Sequence, residues 1–295
     1  MSAPLRRVLV RRPSLTGDFE AADWRVPDPS LLARQHSDFV ALLSTLGCSV
    51  EVAPAVDGLV DAVYVRDPGM VTARGGILFQ MIKGVRRPEP SLLADALAAA
   101  GVPIVGSLSD DAYADGGDIV WLDPSTLIVG RSYRTNAAAV AQLRTLLAAE
   151  SVSVISVDLP HDRGPDHVLH LMSVLSPVDD DLAVVYPPLI PVPLMELLSA
   201  RGVTLVPVDA DEYWTLGCNV LAVAPRVVVI AAGNPRTGSA LKQHGCEVHK
   251  YDASDLSVKG DGGPTCLTQP LWRNRASVTN RHRGGQLASL EPDVE

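Results

Sequence analysis

Absences narrow this sequence before any motif is read. In its 295 residues no apolar run reaches the roughly eighteen needed to cross a bilayer. The opening MSAPLRRVLVRRPS carries charge without a long apolar stretch or a small-residue cleavage site. These two gaps predict a cytoplasmic chain with no membrane partner. A surplus of Lys and Arg is missing as well: the formal net charge is -9, which argues against broad binding to a nucleic-acid backbone and suits cationic small molecules. The four cysteines, Cys48, Cys218, Cys246 and Cys266, form no CxxC pair, so no disulfide framework is expected. Cys48 and Cys246 each fall between a helix-ending glycine and a strand, where cysteine serves as a small core residue. No GxGxxG follows the first strand-like segment, RRVLVRRPSLTGD, which removes the phosphate-binding turn of a doubly wound sheet.

What is present is repetition. One phrase, a Leu- and Ala-rich helix that stops and runs into a β-branched strand, recurs as FVALLSTLGCSVEVAP, LADALAAAGVPIVGS, AQLRTLLAAESVSVISVD, LMELLSARGVTLVPVD and ALKQHGCEVHKYD. The stops fall near residues 47, 101, 150, 202 and 245, with Glu-Ser replacing Gly in the third copy. Between them lie further strand signals, including DIVWLD with STLIVG and a pair split by APR, which predict hairpins. A unit of paired strands, helix and returning strand cannot bury both faces alone, so five of them close most economically around an axis. The expected fold is therefore α/β, a five-bladed pseudo-symmetric α/β propeller over residues 1–275. Residues 276–295 lack apolar periodicity and read as a mobile tail.

Loops that open on such an axis converge, which makes their polar residues candidates. GGPTC presents Cys266 from a turn shaped by Gly262, Gly263 and Pro264; the thiol is a nucleophile if its proton is removed, and a packing residue otherwise. His170, in HVLHLMS, sits among alternating apolar residues that predict a strand; beside a cysteine it is a candidate acid and base. YADGGD supplies Asp115, which could orient His170, and Asp118, which could equally be a turn former. DAVYVRDP supplies Asp61 and Asp67, two carboxylates suited to a cationic ligand. His161, Asp162, Asp166, His167 and His170 have a metal-like composition, but His167 and His170 would face opposite sides of a strand, so no metal site is expected. The polar, Pro-containing stretch Ser14–Ser30 reads as a mobile flap.

Together VRDPGMV, RRPE, DGGDIV, RTN, HLMS and GGPTC, in this order along the chain, resemble the guanidine-modifying superfamily of dimethylarginine dimethylaminohydrolases, arginine deiminases and amidinotransferases. That family is a five-bladed α/β propeller, in agreement with the repeats. The resemblance implies a hydrolase of a small cationic guanidino substrate with no cofactor and no metal. Cys266 would attack the guanidinium carbon to leave a covalent thiouronium, His170 would protonate the leaving amine and then activate water, and Asp115 would hold His170. Asp67 and Asp61 would bind the substrate, and Arg86 and Arg134 would hold its carboxylate. Departures from the family pattern are Arg66 where dimethylarginine hydrolases tend to carry Glu, Met172 in place of the acid of deiminases, and Asp115 in place of a frequent Glu. An apolar Met172 beside the site would fit an N-substituted guanidine, and Asp115 leaves amidino transfer to an amine open. A non-enzymatic protein-binding ring is the third reading. A homodimer also stays open.

Overall fold

The computed structural model describes residues 2–165, 167 and 169–274. Asp166 of the metal-like cluster and the 276–295 tail lie outside the described residues. Five three-stranded sheets form, each built from one copy of the repeat. In the second, β3 (Gly69–Val71) pairs antiparallel with β4 (Gly76–Leu78), α2 (Glu89–Ala99) crosses over, and β5 (Ile104–Ser107) returns parallel to β4. The same order gives β6 (Ile119–Asp123), β7 (Thr126–Arg131), α3 (Ala137–Ala148) and β8 (Ser153–Asp158). It gives β9 (Leu175–Asp179), β10 (Leu182–Val185), α4 (Val192–Ala200) and β11 (Thr204–Pro207), with a short α5 (Ala210–Tyr213) following. It gives β12 (Leu221–Ala224), β13 (Val227–Ala231), α6 (Pro235–Gln243) and β14 (Glu247–Tyr251) as well. The remaining sheet joins the two ends of the chain. β1 (Leu5–Arg11) pairs with β2 (Ser49–Ala53), after α1 (Pro29–Thr45), while the inner place is filled by β15 (Gln269–Arg273), antiparallel to β1 with Leu5 opposite Arg273 and Leu9 opposite Gln269. Closure through β15 makes the ring a five-bladed α/β propeller, as the repeat implied.

Local chemistry explains the elements. Asp28 caps α1 by accepting from the Ser30 and Leu31 amides, and Pro29 occupies a position that needs no donor. On α3 the buried Ala139, Val140, Leu143 and Leu147 recur at helical spacing along one stripe. The helix stops are left-handed residues: Gly47, Gly101, Gly202 and Gly245 have φ between 68° and 85°. In the third copy Ser151 adopts the same conformation at φ 56°. A non-glycine residue there carries strain, so Ser151→Gly is expected to stabilise the fold by about 0.5–1 kcal/mol, read as a raised midpoint of thermal unfolding. A lowered midpoint would refute it.

Four of the five inner strands start just after a motif loop, and the fifth, β12, after the loop that carries Asn219. Asp67 precedes β3, Asp118 precedes β6, Ser173 precedes β9, Asn219 precedes β12 and Thr268 precedes β15. The ring therefore gathers these loops at one end of its axis. Among the described residues no helix is long and apolar enough to cross a membrane.

Candidate active site

Cys266 lies in the tight turn before β15, where its N–H donates to the Gly263 carbonyl at 3.0 Å. Gly263 has to be glycine for a packing reason: a Cβ there would stand 2.4 Å from the Asn219 side chain. Asn219 holds the loop by accepting from the Thr265 amide at 3.1 Å and hydroxyl at 2.8 Å, and its Nδ2 donates to the Cys266 sulfur at 3.5 Å. Sequence reasoning missed Asn219, which reads only as the lead-in to a hairpin. The thiol is buried, and burial followed by the Asp67 charge pushes its pKa up to about 11, against hydrogen bonds from Thr265, Gly263 and Asn219 that pull it down. At neutral pH this sulfur rests as a thiol.

Asp67 ties the neighbouring loops together. Its Oδ1 accepts from the Gly117 amide at 2.9 Å and its Oδ2 from Arg86 Nη1 at 2.8 Å, while the Gly116 amide donates to its carbonyl. Although burial acts to raise the Asp67 pKa, the charges of Arg86 and His170 outweigh it and hold the carboxyl below its ordinary value. Arg86 also holds Glu89, with Nε and Nη2 bonding its two oxygens at 2.9 and 2.7 Å. Glu89 is 2% exposed, and burial lifts it to about 7 in spite of Arg86. Asp61 is likewise occupied, by Trp24 Nε1 at 2.8 Å and Lys83 Nζ at 3.2 Å. Three carboxylates thus meet two cationic side chains around one buried cluster.

His170 does not lie on a strand. It caps a single 3₁₀ turn, Leu171–Ser173, and β9 begins only at Leu175. Its Nε2 is 3.3 Å from Asp115 Oδ2, near enough for charge attraction but not aligned as a hydrogen bond. The ring rests on Gly117, where a Cβ would meet Nδ1 at 2.4 Å. Burial lowers the His170 pKa, yet Asp118, Asp115 and Asp67 outweigh burial, and the net shift is upward. Asp118, which could have been a turn former alone, is fully buried. It accepts from Ser132, Thr135 and the Leu171 amide, so it fixes the turn that carries His170, and burial raises it to about 6.

Among the described residues five buried side-chain polar atoms have no hydrogen-bond partner, and three of them belong here: Tyr64 OH, Asp115 Oδ1 and His170 Nε2. Buried polar groups normally find partners. A cluster that leaves three open is suited to a polar ligand.

The remaining candidates have distinct places. Arg134 donates to Asp115 at 3.1 Å and lines a cavity of about 460 Å³ with Tyr133, His161 and Leu169, so it stands between His170's partner and an opening. Arg86 spends four of its five N–H groups on Asp67, Glu89 and the Tyr64 carbonyl and is 4% exposed, so little of its fork is open to a substrate carboxylate. Met172 is 3% exposed and lines a small interior space with Val120 and Thr265 on the ring axis. The Ser14–Ser30 segment is seated in this structure: Trp24 is buried and stacks on Tyr64 at 5.3 Å between centroids.

Comparison with known proteins gives a consistent grouping. The family described as N,N dimethylarginine dimethylhydrolase, eukaryotic, matches residues 30–273. An uncharacterized protein of Bacillus subtilis, YkgA, is 30% identical over 239 residues, 81% of this chain and 79% of that protein. Arginine deiminase of Lactococcus lactis subsp. lactis is 27% identical over 79% of this chain, which spans 66% of that enzyme's length. Among solved structures, dimethylarginine dimethylaminohydrolase from Pseudomonas aeruginosa, a mutant complexed with citrulline, has a TM-score of 0.77 at 21% identity, with 90% of this chain and 99% of that chain covered. The N-terminal domain of ArgZ, an arginine dihydrolase from cyanobacteria, has a TM-score of 0.78 at 16% identity, with 90% and 97% covered.

Proposed function

The chain belongs to the dimethylarginine dimethylaminohydrolase and arginine deiminase superfamily, hydrolases of guanidino C–N bonds, and from that premise we propose that it hydrolyses a substituted arginine or a related guanidino compound through a covalent thiouronium on Cys266. The observation that carries this reading is the charge arrangement. Asp67 bonds the Gly117 amide, against which the His170 ring rests, and its charge adds to burial in keeping the Cys266 thiol protonated and to Asp118 and Asp115 in favouring the His170 imidazolium.

A guanidinium cation seated against Asp67 offsets the charge that keeps the thiol protonated, so substrate itself favours the thiolate, whose proton goes to solvent. The sulfur electron pair then bonds to the guanidinium carbon. His170, as imidazolium, gives its proton to the departing amine nitrogen, the C–N bond breaks and a thiouronium remains. Neutral His170 next takes a proton from water as its oxygen bonds to the same carbon. The C–S bond breaks with its electrons returning to sulfur, the excess proton leaves to solvent, and a urea-type product departs. Asp115 keeps the imidazole oriented, Asp61 and Asp67 supply the negative charge that receives the guanidinium, and Arg134 receives the substrate carboxylate. Arg86 in this scheme positions Asp67.

The test is intact mass after rapid acid quench with methylated and unmethylated arginines. A covalent adduct on Cys266 with the mass of the substrate less the departing amine supports the reading; turnover without any adduct in quenched or slowed enzyme sinks the covalent route. Amidino transfer, suggested by the shorter Asp115, would give an amidinated amine instead of the urea-type product under single turnover.

The pKa directions set the pH dependence. A raised cysteine pKa means that alkylation of ligand-free Cys266 climbs with pH toward about 11. Leaving-group protonation is lost as pH rises through the His170 value, which lies above its ordinary range. Turnover should therefore reach its maximum well below the pH at which the free thiol ionises. Iodoacetamide kinetics beside a kcat profile check this, and a thiol already fully ionised at pH 7 without ligand would contradict it.

A further inference from the structure

At the other end of the axis, where the inner strands finish, a second cavity of about 450 Å³ opens among Val71, Asp123, Trp272 and Asn274. Two arginines line it, Arg66 and Arg273. Among the described residues neither makes an ion pair. Arg66 is 4% exposed and donates only to main-chain carbonyls, from Nη2 to Ile119 at 3.0 Å and from Nε to Gly116 at 3.5 Å. Arg273 donates to the carbonyls of Ala3 at 2.7 Å and Ala222 at 2.9 Å, and its buried Nε has no partner. Carbonyl dipoles orient a guanidinium but do not neutralise it, and an uncompensated buried charge is strongly unfavourable. Desolvation and the repulsion of Arg66 pull Arg273 down to about 9. The carboxylates nearby are spent: Asp123 on Arg201 and Asp67 on Arg86. Met70, Trp121, Leu271 and Trp272 give the walls an apolar face, with Thr72 and Gln269 beside them.

We propose that this axial cavity binds a small organic carboxylate, its charge received by Arg66 and Arg273 and its apolar body lying against Trp121 and Trp272. A forked guanidinium matches a carboxylate, and a volume of this size holds a small molecule. The site also communicates with the thiol. The Arg66 amide donates to the Cys266 carbonyl at 3.2 Å, and the Arg66 charge interacts with the Cys266 sulfur.

Calorimetry of the full chain with benzoate tests the proposal. Saturable binding is expected, with benzamide at least tenfold weaker because it lacks the charge. Arg273→Met and, at the exposed wall, Trp272→Ala should each weaken benzoate at least tenfold, while Cys266→Ser and Arg134→Ala leave it unchanged. Trp272→Ala keeps the test informative if Arg273→Met does not fold. Loss of binding in Cys266→Ser or Arg134→Ala would mean that benzoate sits at the thiol, and overturns the assignment. So would inorganic phosphate binding as tightly as benzoate, since no apolar body would then matter. Replacing Glu291, Asp293 and Glu295 by their amides should not alter benzoate affinity. A tenfold gain would make the chain's own acidic end the occupant and overturn a free ligand. None of these outcomes depends on a Cys266 adduct, so the proposal and the hydrolase reading fail separately.

Discussion

Cys266→Ser is expected to keep the propeller and its affinity for guanidino compounds while turnover falls by at least about 10⁴-fold, the order seen when a covalent nucleophile is removed. The loop that carries the sulfur is shaped without it. Gly263 fits against Asn219, the Asn219 oxygen holds Thr265, and Thr268 closes onto the Pro264 carbonyl at 2.9 Å. A serine hydroxyl in that frame still finds the Asn219 amide, so unfolding stability should change by less than about 1 kcal/mol. What disappears is an atom able to carry negative charge near neutral pH. Even the thiol, at about 11, needs a cation beside it to ionise, and an alcohol lies far beyond that reach. Cys266→Ala should match the serine variant in rate. Calorimetric binding, steady-state turnover and thermal unfolding on the same preparations check the three parts, and full turnover in both variants would remove Cys266 from the chemistry.

Gly117→Ala should be nearly as damaging, and through geometry alone. Its new methyl would stand 2.4 Å from His170 Nδ1 and 2.7 Å from Cγ, so the ring must leave its present place, where Nε2 is 3.3 Å from Asp115. An imidazole displaced by an ångström no longer meets the leaving nitrogen, and loss of a positioned acid costs about 10²–10⁴-fold. The loss should fall on kcat with KM little changed, because Asp67 keeps its bond from the residue 117 amide. The neighbouring Gly116→Ala gives the contrast. A methyl there would meet the Arg66 carbonyl at 2.0 Å, backbone against backbone, and should prevent folding. If Gly117→Ala retains wild-type kcat, the placement of His170 as the proton carrier is wrong.

Much of this was legible in the chain. The five stops that end the helices are left-handed residues, including Ser151, because each crossover must reverse within a few residues and the sequence records that local requirement. The four motif loops were also visible, as polar residues between apolar strands. His170 was misread as a strand residue because its neighbours are apolar on every side of the axis, where alternation carries no information. Asn219 and Trp24 gave no signal, since one looks like a turn and the other like a surface loop until the ring folds them onto Cys266 and Asp61.

Short-range physics therefore determined the repeat, the helix stops and the set of loops, all of which follow from periodicity and turn geometry within about fifteen residues. Pairing of charges was decided only by tertiary structure. Nothing within the linear pattern says that Arg86 spends its fork on Asp67 and Glu89, or that Arg66 and Arg273 are left with carbonyls alone. Those outcomes depend on β15 returning to β1 and closing the ring, which brings residues two hundred positions apart into one low-dielectric interior where each charge must take whatever partner closure puts in reach.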